Sequence, residues 1–246
     1  GSGLVGSEMC IRDRIKRDGW LLLHQWRRIL VLWGSILLMD IILALYERNT
    51  IIEQEILGVT VQKFLAEPDK FPIQWIWNQV GILIIVIDFV RKDLSLYSSC
   101  FLPHIQERKW YWYSKLFCGG ILALGIFLYQ MLEKYFILAI YDNTDYCIKI
   151  DGTMLVKSGI LLLLGMCTIY WLYAVVSLLL NEIIGFIVCV AYVVLGLPIK
   201  MPAFYCAGFM YNRGSIGMAI AMMGVVLIFA LVAGTKKLNN MDILSE

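Results

Sequence analysis

Charged residues and histidines are scarce in this sequence of 246 residues, and their scarcity excludes an ordinary soluble domain. Charged residues make up 16% of the chain and hydrophobic residues 60%, and the mean hydropathy is +0.75. A soluble domain typically has about 25% charged residues. The formal net charge of +2 is too small to suggest a nucleic-acid binder. We therefore expect a membrane protein with no separate soluble catalytic domain.

The motifs of hydrolases, metalloenzymes and ATPases are also missing. The sequence has no HExxH zinc motif, no GxSxG nucleophile elbow and no GxxxxGK[ST] phosphate loop. Ile82 to Asp88 resembles the apolar run plus aspartate of a nucleotide-binding strand, but that run continues a membrane span. With only His24 and His104 as imidazoles, we expect this chain to be no enzyme and to bind no metal or cofactor itself.

The seven cysteines include no CxxC pair. Cys118, Cys167 and Cys189 lie inside apolar runs, and we interpret them as small membrane-helix residues. Cys147 and Cys206 fall in two connections predicted to face outward, where a disulfide bridge could form. Whether they come within reach of each other is left open by the sequence.

About six apolar runs are present, and about 20 residues suffice for one membrane crossing. They cover residues 29–46, 73–90, 116–141, 158–180, 183–197 and 215–234. The third is long or bent, and only Asn181 and Glu182 separate the fourth from the fifth, which predicts a tight helical hairpin. We expect an all-α, polytopic membrane protein.

Three further segments complete this architecture. Residues 1–14 resemble a cloning scar followed by a translated sequencing adapter, so the membrane domain is taken as 15–246. Ile15 to Arg28 mixes cations with tryptophan and leucine, which is typical of a helix lying in the membrane interface. Pro198 to Gly214 is too apolar for a solvated loop and too broken for a span, which predicts a re-entrant outer hairpin.

The distribution of basic residues predicts the orientation. The loop after span two, from Arg91 to Lys115, and both chain ends are richer in lysine and arginine than the other connections. The long connection from Glu47 to Pro72 is rich in acids. We expect both termini and the basic loop on the cytoplasmic side.

Three acidic residues fall within or beside the spans, namely Asp40, Asp88 and Glu133. A carboxylate at membrane depth is costly unless it faces a partner or a wet cavity. Asp40 is therefore a polar spot in a substrate path, a helix–helix hydrogen-bonding group or a protonated acid. Asp88 lies one turn from Arg91 and Lys92, which favours local ion pairing.

The basic inner loop has two parts. Asp93 to Leu102 can form a short amphipathic helix that ends at Pro103, and Arg108 to Lys115 is a cation–aromatic cluster that leads into span three. Trp110 to Tyr113 also fit an ordinary interface anchor, since tryptophan and tyrosine collect there.

The layout resembles the six-span permease subunits of ABC-2 type transporters from Gram-positive bacteria. The resemblance rests on Pro72-Ile73-Gln74-Trp75 at the start of span two, on Asp93-Leu94-Ser95-Leu96-Tyr97 after it, and on Arg108-Lys109-Trp110-Tyr111-Trp112-Tyr113-Ser114-Lys115 before span three. It points to a poorly characterised group of these permeases.

The resemblance implies a dimer of such subunits, identical or homologous, in a bacterial cytoplasmic membrane. Two separate ABC ATPase subunits would bind ATP and Mg²⁺ and drive export of amphipathic cargo such as antimicrobial peptides, lipids or drugs. The residues expected to seat in the ATPase are Asp93, Leu94, Leu96, Tyr97, Phe101, Leu102, Arg108 and Lys109. Those expected along the substrate path are Trp33, Asp40, Asn78, Phe204, Tyr205 and Phe209.

Two other functional classes stay open. The chain could be a non-transporting anchor or sensor subunit, whose inner loop binds something other than an ATPase. An intramembrane enzyme is disfavoured, because the sequence offers no competent nucleophile, base or metal cluster.

Overall fold

A computed structural model describes residues 11–46, 73–87, 89–90, 108–141, 152–196 and 216–240. All regular structure in these ranges is helical, as the sequence predicts. The helices are α1 (Ile11–Leu23), α2 (Trp26–Tyr46), α3 (Ile73–Val80), α4 (Ile82–Val86), α5 (Arg108–Tyr141), α6 (Gly152–Leu179), α7 (Glu182–Gly196) and α8 (Ile216–Asn239).

Three of these helices are long and apolar enough to cross a membrane. The qualifying stretches are Lys109–Glu133 of α5, Leu162–Leu179 of α6 and Ile220–Asn239 of α8. The apolar stretches Ile76–Val86 and Glu182–Leu195 are shorter. At about 1.5 Å per residue they extend roughly 16 and 21 Å, less than the ~30 Å hydrocarbon core. The predicted number of six spans stays a prediction.

Helix α5 is longer than the sequence analysis predicted. It runs for 34 residues from Arg108 to Tyr141 without interruption, so the third apolar segment is one long helix, of which Lys109–Glu133 qualifies as a membrane span. It also starts eight residues before the predicted 116, because residues 108–115 form its first two turns instead of the end of a loop. Those turns pack against other helices, and this packing is a tertiary feature with no local sequence signal.

The predicted interfacial helix from Ile15 to Arg28 is interrupted. Helix α1 ends at Leu23 and α2 begins at Trp26. The intervening turn is closed by the backbone N–H of Gln25, which donates to the carbonyl of Leu22 at 3.0 Å. The side chains of Trp20 and Trp26 are both more than half exposed on either side of it. The turn separates α1 from the first apolar run.

The second predicted span is divided at Gly81 into α3 and α4. The backbone of Gly81 is helical, with φ −54° and ψ −32°, but Ile84 N–H bonds the carbonyl of Gly81, three residues back, at 3.1 Å. A Cβ atom at Gly81 would meet the side chain of Leu32 on α2. The glycine therefore permits the close approach of α2 to this segment.

Helix α6 lies at the centre of the bundle. It packs against α8, α7, α5, α3 and α4, and its side chains at Met166, Ile169, Tyr170, Tyr173 and Ala174 are fully buried. The tight hairpin between α6 and α7 is confirmed. Its turn is stabilised by Asn181, whose Oδ1 accepts hydrogen bonds from the backbone N–H groups of Ile183 at 2.6 Å and Ile184 at 3.2 Å.

Several predictions concern residues outside the described ranges. They include the coupling-loop residues Asp93, Leu94, Leu96, Tyr97, Phe101 and Leu102, the outer aromatics Phe204, Tyr205 and Phe209, the outer hairpin from Pro198 to Gly214, the cysteines Cys147 and Cys206, and Asp88.

Candidate functional site

A fully buried ion pair holds α1 against the start of α5. Nζ of Lys115 lies 3.1 Å from Oδ1 of Asp18, and both side chains are inaccessible to solvent. Ser114 Oγ donates a hydrogen bond to the other carboxylate oxygen of Asp18 at 2.6 Å. Arg17 reaches the carboxylate from the surface, with Nη2 2.9 Å from Oδ1. We call Asp18 and Lys115 the inner ion pair.

Aromatic rings enclose the lysine of this pair. The ammonium group of Lys115 lies 3.9 Å from the ring centroid of Phe89 and 5.5 Å from that of Tyr111, within the range of cation–π attraction. Phe89 follows α4 and Tyr111 belongs to the first turn of α5. The residues that flank the predicted inner loop, 91–107, therefore meet at one buried ammonium group.

Helices α6 and α8 fix the same turns of α5. The hydroxyl of Tyr170 on α6 donates to the carbonyl of Lys115 at 2.7 Å, and Trp112 Nε1 donates to the carbonyl of Ala230 on α8 at 2.8 Å. Glycines make room for these rings, since a Cβ at Gly119 would enter the Tyr170 ring and a Cβ at Gly234 would enter the Trp112 ring.

The interface-anchor interpretation of Trp110 to Tyr113 is therefore wrong for two of the four residues. Tyr111 and Trp112 are buried inside the bundle. Trp110 is 37% exposed, packs edge-on against Tyr113, and lies beneath the exposed Lys109 with Nζ 5.8 Å from the ring centroid. Only this outer part keeps the character of an anchor.

A second group of buried polar side chains lies toward the other end of α5. Tyr129 stacks on Trp33 of α2 with ring centroids 4.6 Å apart, and its hydroxyl donates to the carbonyl of Trp33 at 3.1 Å. Asp40 and Glu133 are 1% and 6% exposed.

Helix α3 adds amide groups to this surface. Gln130 Nε2 donates to the backbone carbonyl of Asn78 at 3.3 Å, and both side chains are buried. Among the residues described, neither Oδ1 of Asn78 nor Oε1 of Gln130 has a hydrogen-bond partner. We call Trp33, Asp40, Asn78, Tyr129, Gln130 and Glu133 together the polar face.

The polar face contains three of the residues that the sequence analysis placed along the substrate path, namely Trp33, Asp40 and Asn78. The structure brings Trp33 against Tyr129 and Asn78 against Gln130, both on α5, and the role of all three in a substrate path stays a prediction. Tyr129 and Gln130 were not singled out, although a glutamine inside an apolar run is a visible signal. The sequence-based interpretations of Asp40 all fit its burial.

Metal ligands and thiols are the reactive groups to consider in the described part of the chain. No group of three or more histidine, cysteine or acidic side chains that could hold a metal ion occurs in that part. Cys118, Cys167 and Cys189 are free thiols in helices. Arg108 opens α5 and Lys109 is exposed beside it, at the edge of the predicted coupling loop.

Compared with known proteins, the chain matches no family model, no curated protein and no solved structure. The resemblance to ABC-2 type permeases therefore rests on the residues of this sequence alone.

Proposed function

We propose that this chain is the permease subunit of an ATP-driven ABC exporter in a bacterial cytoplasmic membrane, moving amphipathic cargo such as antimicrobial peptides, lipids or drugs. Two separate ATPase subunits supply ATP and Mg²⁺ binding, and a second permease subunit completes the transporter. The observation that carries the proposal is the way in which the inner loop is anchored in the bundle.

The loop from residue 91 to 107 starts and ends at buried side chains. Phe89 and Val90 are buried immediately before it, and Tyr111 and Trp112 are buried shortly after it. Contact of Lys115 with the Phe89 ring ties the two flanks together. A partner that moves such a loop moves whole helices as rigid bodies, which is what coupling to an ATPase requires.

The lateral surface of α8 supports a second subunit or lipid beside this one. Much of the candidate span Ile220–Asn239 is exposed, including Val225, Ile228 and Val232. Gly217 and Ala221 are exposed on the same helix, and small residues allow another helix to approach closely.

Affinity purification from the native operon context, in mild detergent, tests the proposal directly. We expect an ATP-binding cassette subunit to co-purify in near-equal amount, as measured by mass spectrometry. Leu96→Asp and Phe101→Asp, which replace two large apolar side chains of the predicted loop helix by charge, should release that subunit without lowering the unfolding temperature of the membrane part.

Ser99→Asp is the matched control for Phe101→Asp, because it adds the same charge in place of a small polar side chain about 160° away from Phe101 around the predicted loop helix, and it should leave the ATPase bound. Equal recovery of the ATPase with all three variants would contradict the coupling role of this loop. A clean preparation without any ATPase would contradict the transporter proposal and favour a membrane anchor or sensor subunit.

A further inference from the structure

We propose that the corner between α1 and α2 binds anionic phospholipids of the membrane and prefers them to zwitterionic ones. We call Lys16, Trp20, Leu23, Trp26 and Arg27 together the N-terminal corner. Lys16 and Arg27 attract the phosphate-bearing headgroups, and the acyl chains follow the exposed apolar side of α2. No ATPase and no cargo takes part, so this proposal stands or falls independently of the exporter proposal.

The inner ion pair fixes the side of α1 that faces away from the bundle. Asp18 is fully buried against Lys115 of α5. At about 100° per residue, the directions of Lys16, Trp20 and Leu23 lie within about 60° of one another and about 140–160° from that of Asp18. All three of these side chains are exposed. One face of α1 is thus held by an ion pair, and the opposite face is presented outward.

Large apolar side chains make up most of this outward surface. Trp20 is 59% exposed, Leu23 is 70% exposed and, across the turn into α2, Trp26 is 54% exposed. The Trp20 ring stacks on His24 with ring centroids 4.6 Å apart, and the guanidinium group of Arg27 lies 5.6 Å from the Trp26 ring centroid. Tryptophan rings beside cations are typical of the headgroup layer of a membrane, where the ring and the charge are both favourably placed.

The exposed charges of this region have one sign. Between residues 15 and 42 the sequence has four basic residues and two acids, Asp18 and Asp40. Both acids are buried, and Asp18 belongs to the inner ion pair. Lys16 and Arg27 are exposed, and within the described residues they form no ion pair. The surface therefore complements a negative headgroup, and each lysine or arginine near an anionic membrane strengthens binding about fivefold.

The exposed side of α2 has the length that a lipid chain needs. Between Arg27 and residue 42 the fully exposed positions of this helix are all apolar, and the large ones are Leu30, Val31, Leu37, Leu38, Ile41 and Ile42. From Arg27 to Leu38 the helix rises about 16 Å, and one leaflet of the hydrocarbon core is about 15 Å thick. A cationic end followed by an apolar side of this length matches a phospholipid, whereas a small soluble anion would leave the apolar side uncovered.

Lipid titration of the purified full chain in dodecyl maltoside tests the proposal. Native mass spectrometry measures the fraction of protein that carries bound dioleoyl phosphatidylglycerol, and dioleoyl phosphatidylcholine is the zwitterionic reference with the same acyl chains. We expect phosphatidylglycerol to bind about tenfold more tightly or better, because two exposed cations contribute. Inorganic phosphate should not displace it, since that ion cannot cover Trp20, Leu23 and Trp26.

Lys16→Gln combined with Arg27→Gln removes both charges. This pair should weaken phosphatidylglycerol binding by about tenfold and leave phosphatidylcholine binding unchanged. Lys16→Arg combined with Arg27→Lys keeps both charges and should retain the preference. Lys109→Gln combined with Lys236→Gln is the matched control, because it removes two exposed positive charges outside the N-terminal corner and should also retain the preference.

Equal binding of the two lipids by the unchanged protein overturns the proposal, and so does displacement of the lipid by inorganic phosphate. Undiminished binding after Lys16→Gln with Arg27→Gln also overturns it. An equal loss with the control pair overturns it as well, because net charge would then account for the attraction. All four substituted side chains are exposed, so we expect these variants to fold, and the comparison of the two lipids on the unchanged protein depends on no variant.

Discussion

Asp18 and Lys115 show how a charged residue can be essential to packing without being a good source of stability. Removing two charges from water costs about as much as their attraction returns, so a buried pair is close to neutral compared with apolar residues of the same size. Here Ser114, Arg17 and the Phe89 ring add contacts that improve the balance. Loss of one partner alone leaves the other charge buried.

We therefore expect Lys115→Met to lower the free energy of unfolding by about 3–5 kcal/mol, and Asp18→Leu combined with Lys115→Met to lower it by clearly less. Arg17→Met should cost about 1 kcal/mol or less, because Arg17 is partly exposed to solvent. Denaturant unfolding in detergent micelles, followed by tryptophan fluorescence, measures all three. Equal losses for the single and double variants would show that the two side chains are not coupled.

At the scale of the element, α5 organises the bundle through its first turns. These turns bind α1 through the hydrogen bond from Ser114 to Asp18. They bind α6 through Tyr170 and α8 through the hydrogen bond that Trp112 donates. Close approach of α6 depends on Gly119, because the Tyr170 ring occupies the place of a Cβ atom there. The next residue, Gly120, has open space at the same position.

This difference predicts opposite effects of the same substitution at adjacent sites. Gly119→Ala should lower the unfolding temperature, because the Tyr170 ring must move and its hydrogen bond to Lys115 is strained or lost. Gly120→Ala should leave it unchanged or raise it, since alanine favours a helix by about 1 kcal/mol over glycine. Thermal unfolding of both variants checks this, and equal effects would contradict the packing of α6 on α5.

How far the elements could be predicted depends on the range of the interactions that define them. The turn between α6 and α7 was predictable because Asn181 and Glu182 interrupt an apolar run locally. The start of α5 could not be predicted in this way. Trp112 and Lys115 are residue types typical of an interface anchor, and contacts with helices distant in sequence bury them. The sequence shows the polar residues of the polar face. It does not show that Tyr129 and Gln130 of α5 contact α2 and α3.

At the scale of the whole molecule, several basic residues lie where α1, the start of α5 and the end of α8 meet. Arg17 contacts Asp18 beside Lys115, and Gly234 touches the Trp112 ring two residues before Lys236. Positive charge concentrated at one end of a bundle of apolar helices is expected at the cytoplasmic surface. The hairpin turn at Asn181 lies toward the same end. Tyr170 and Tyr173, which precede it on α6, donate hydrogen bonds there to the carbonyls of Lys115 and Ile87.

Reporter fusions test this orientation and the number of spans together. Alkaline phosphatase fused after Thr60 or Thr144 should be active, because both sites lie in connections predicted to face outward. The same enzyme fused after His104 should be inactive, and green fluorescent protein fused after Glu246 should be fluorescent. An inactive fusion at Thr60 would contradict the first two spans and reduce the count below six.

The inner ion pair also has a consequence for the order in which the protein is made. Asp18 and its partner Ser114 are 96 residues apart, so the ribosome takes about 5–20 s to synthesise the chain between them. During that time α1 has no α5 to pack against, and its mixture of cations and large apolar side chains suits it to rest on the membrane surface. Insertion of α5 then brings Lys115 to the carboxylate of Asp18. We therefore expect α1 to take up its final position only after α5 has been synthesised.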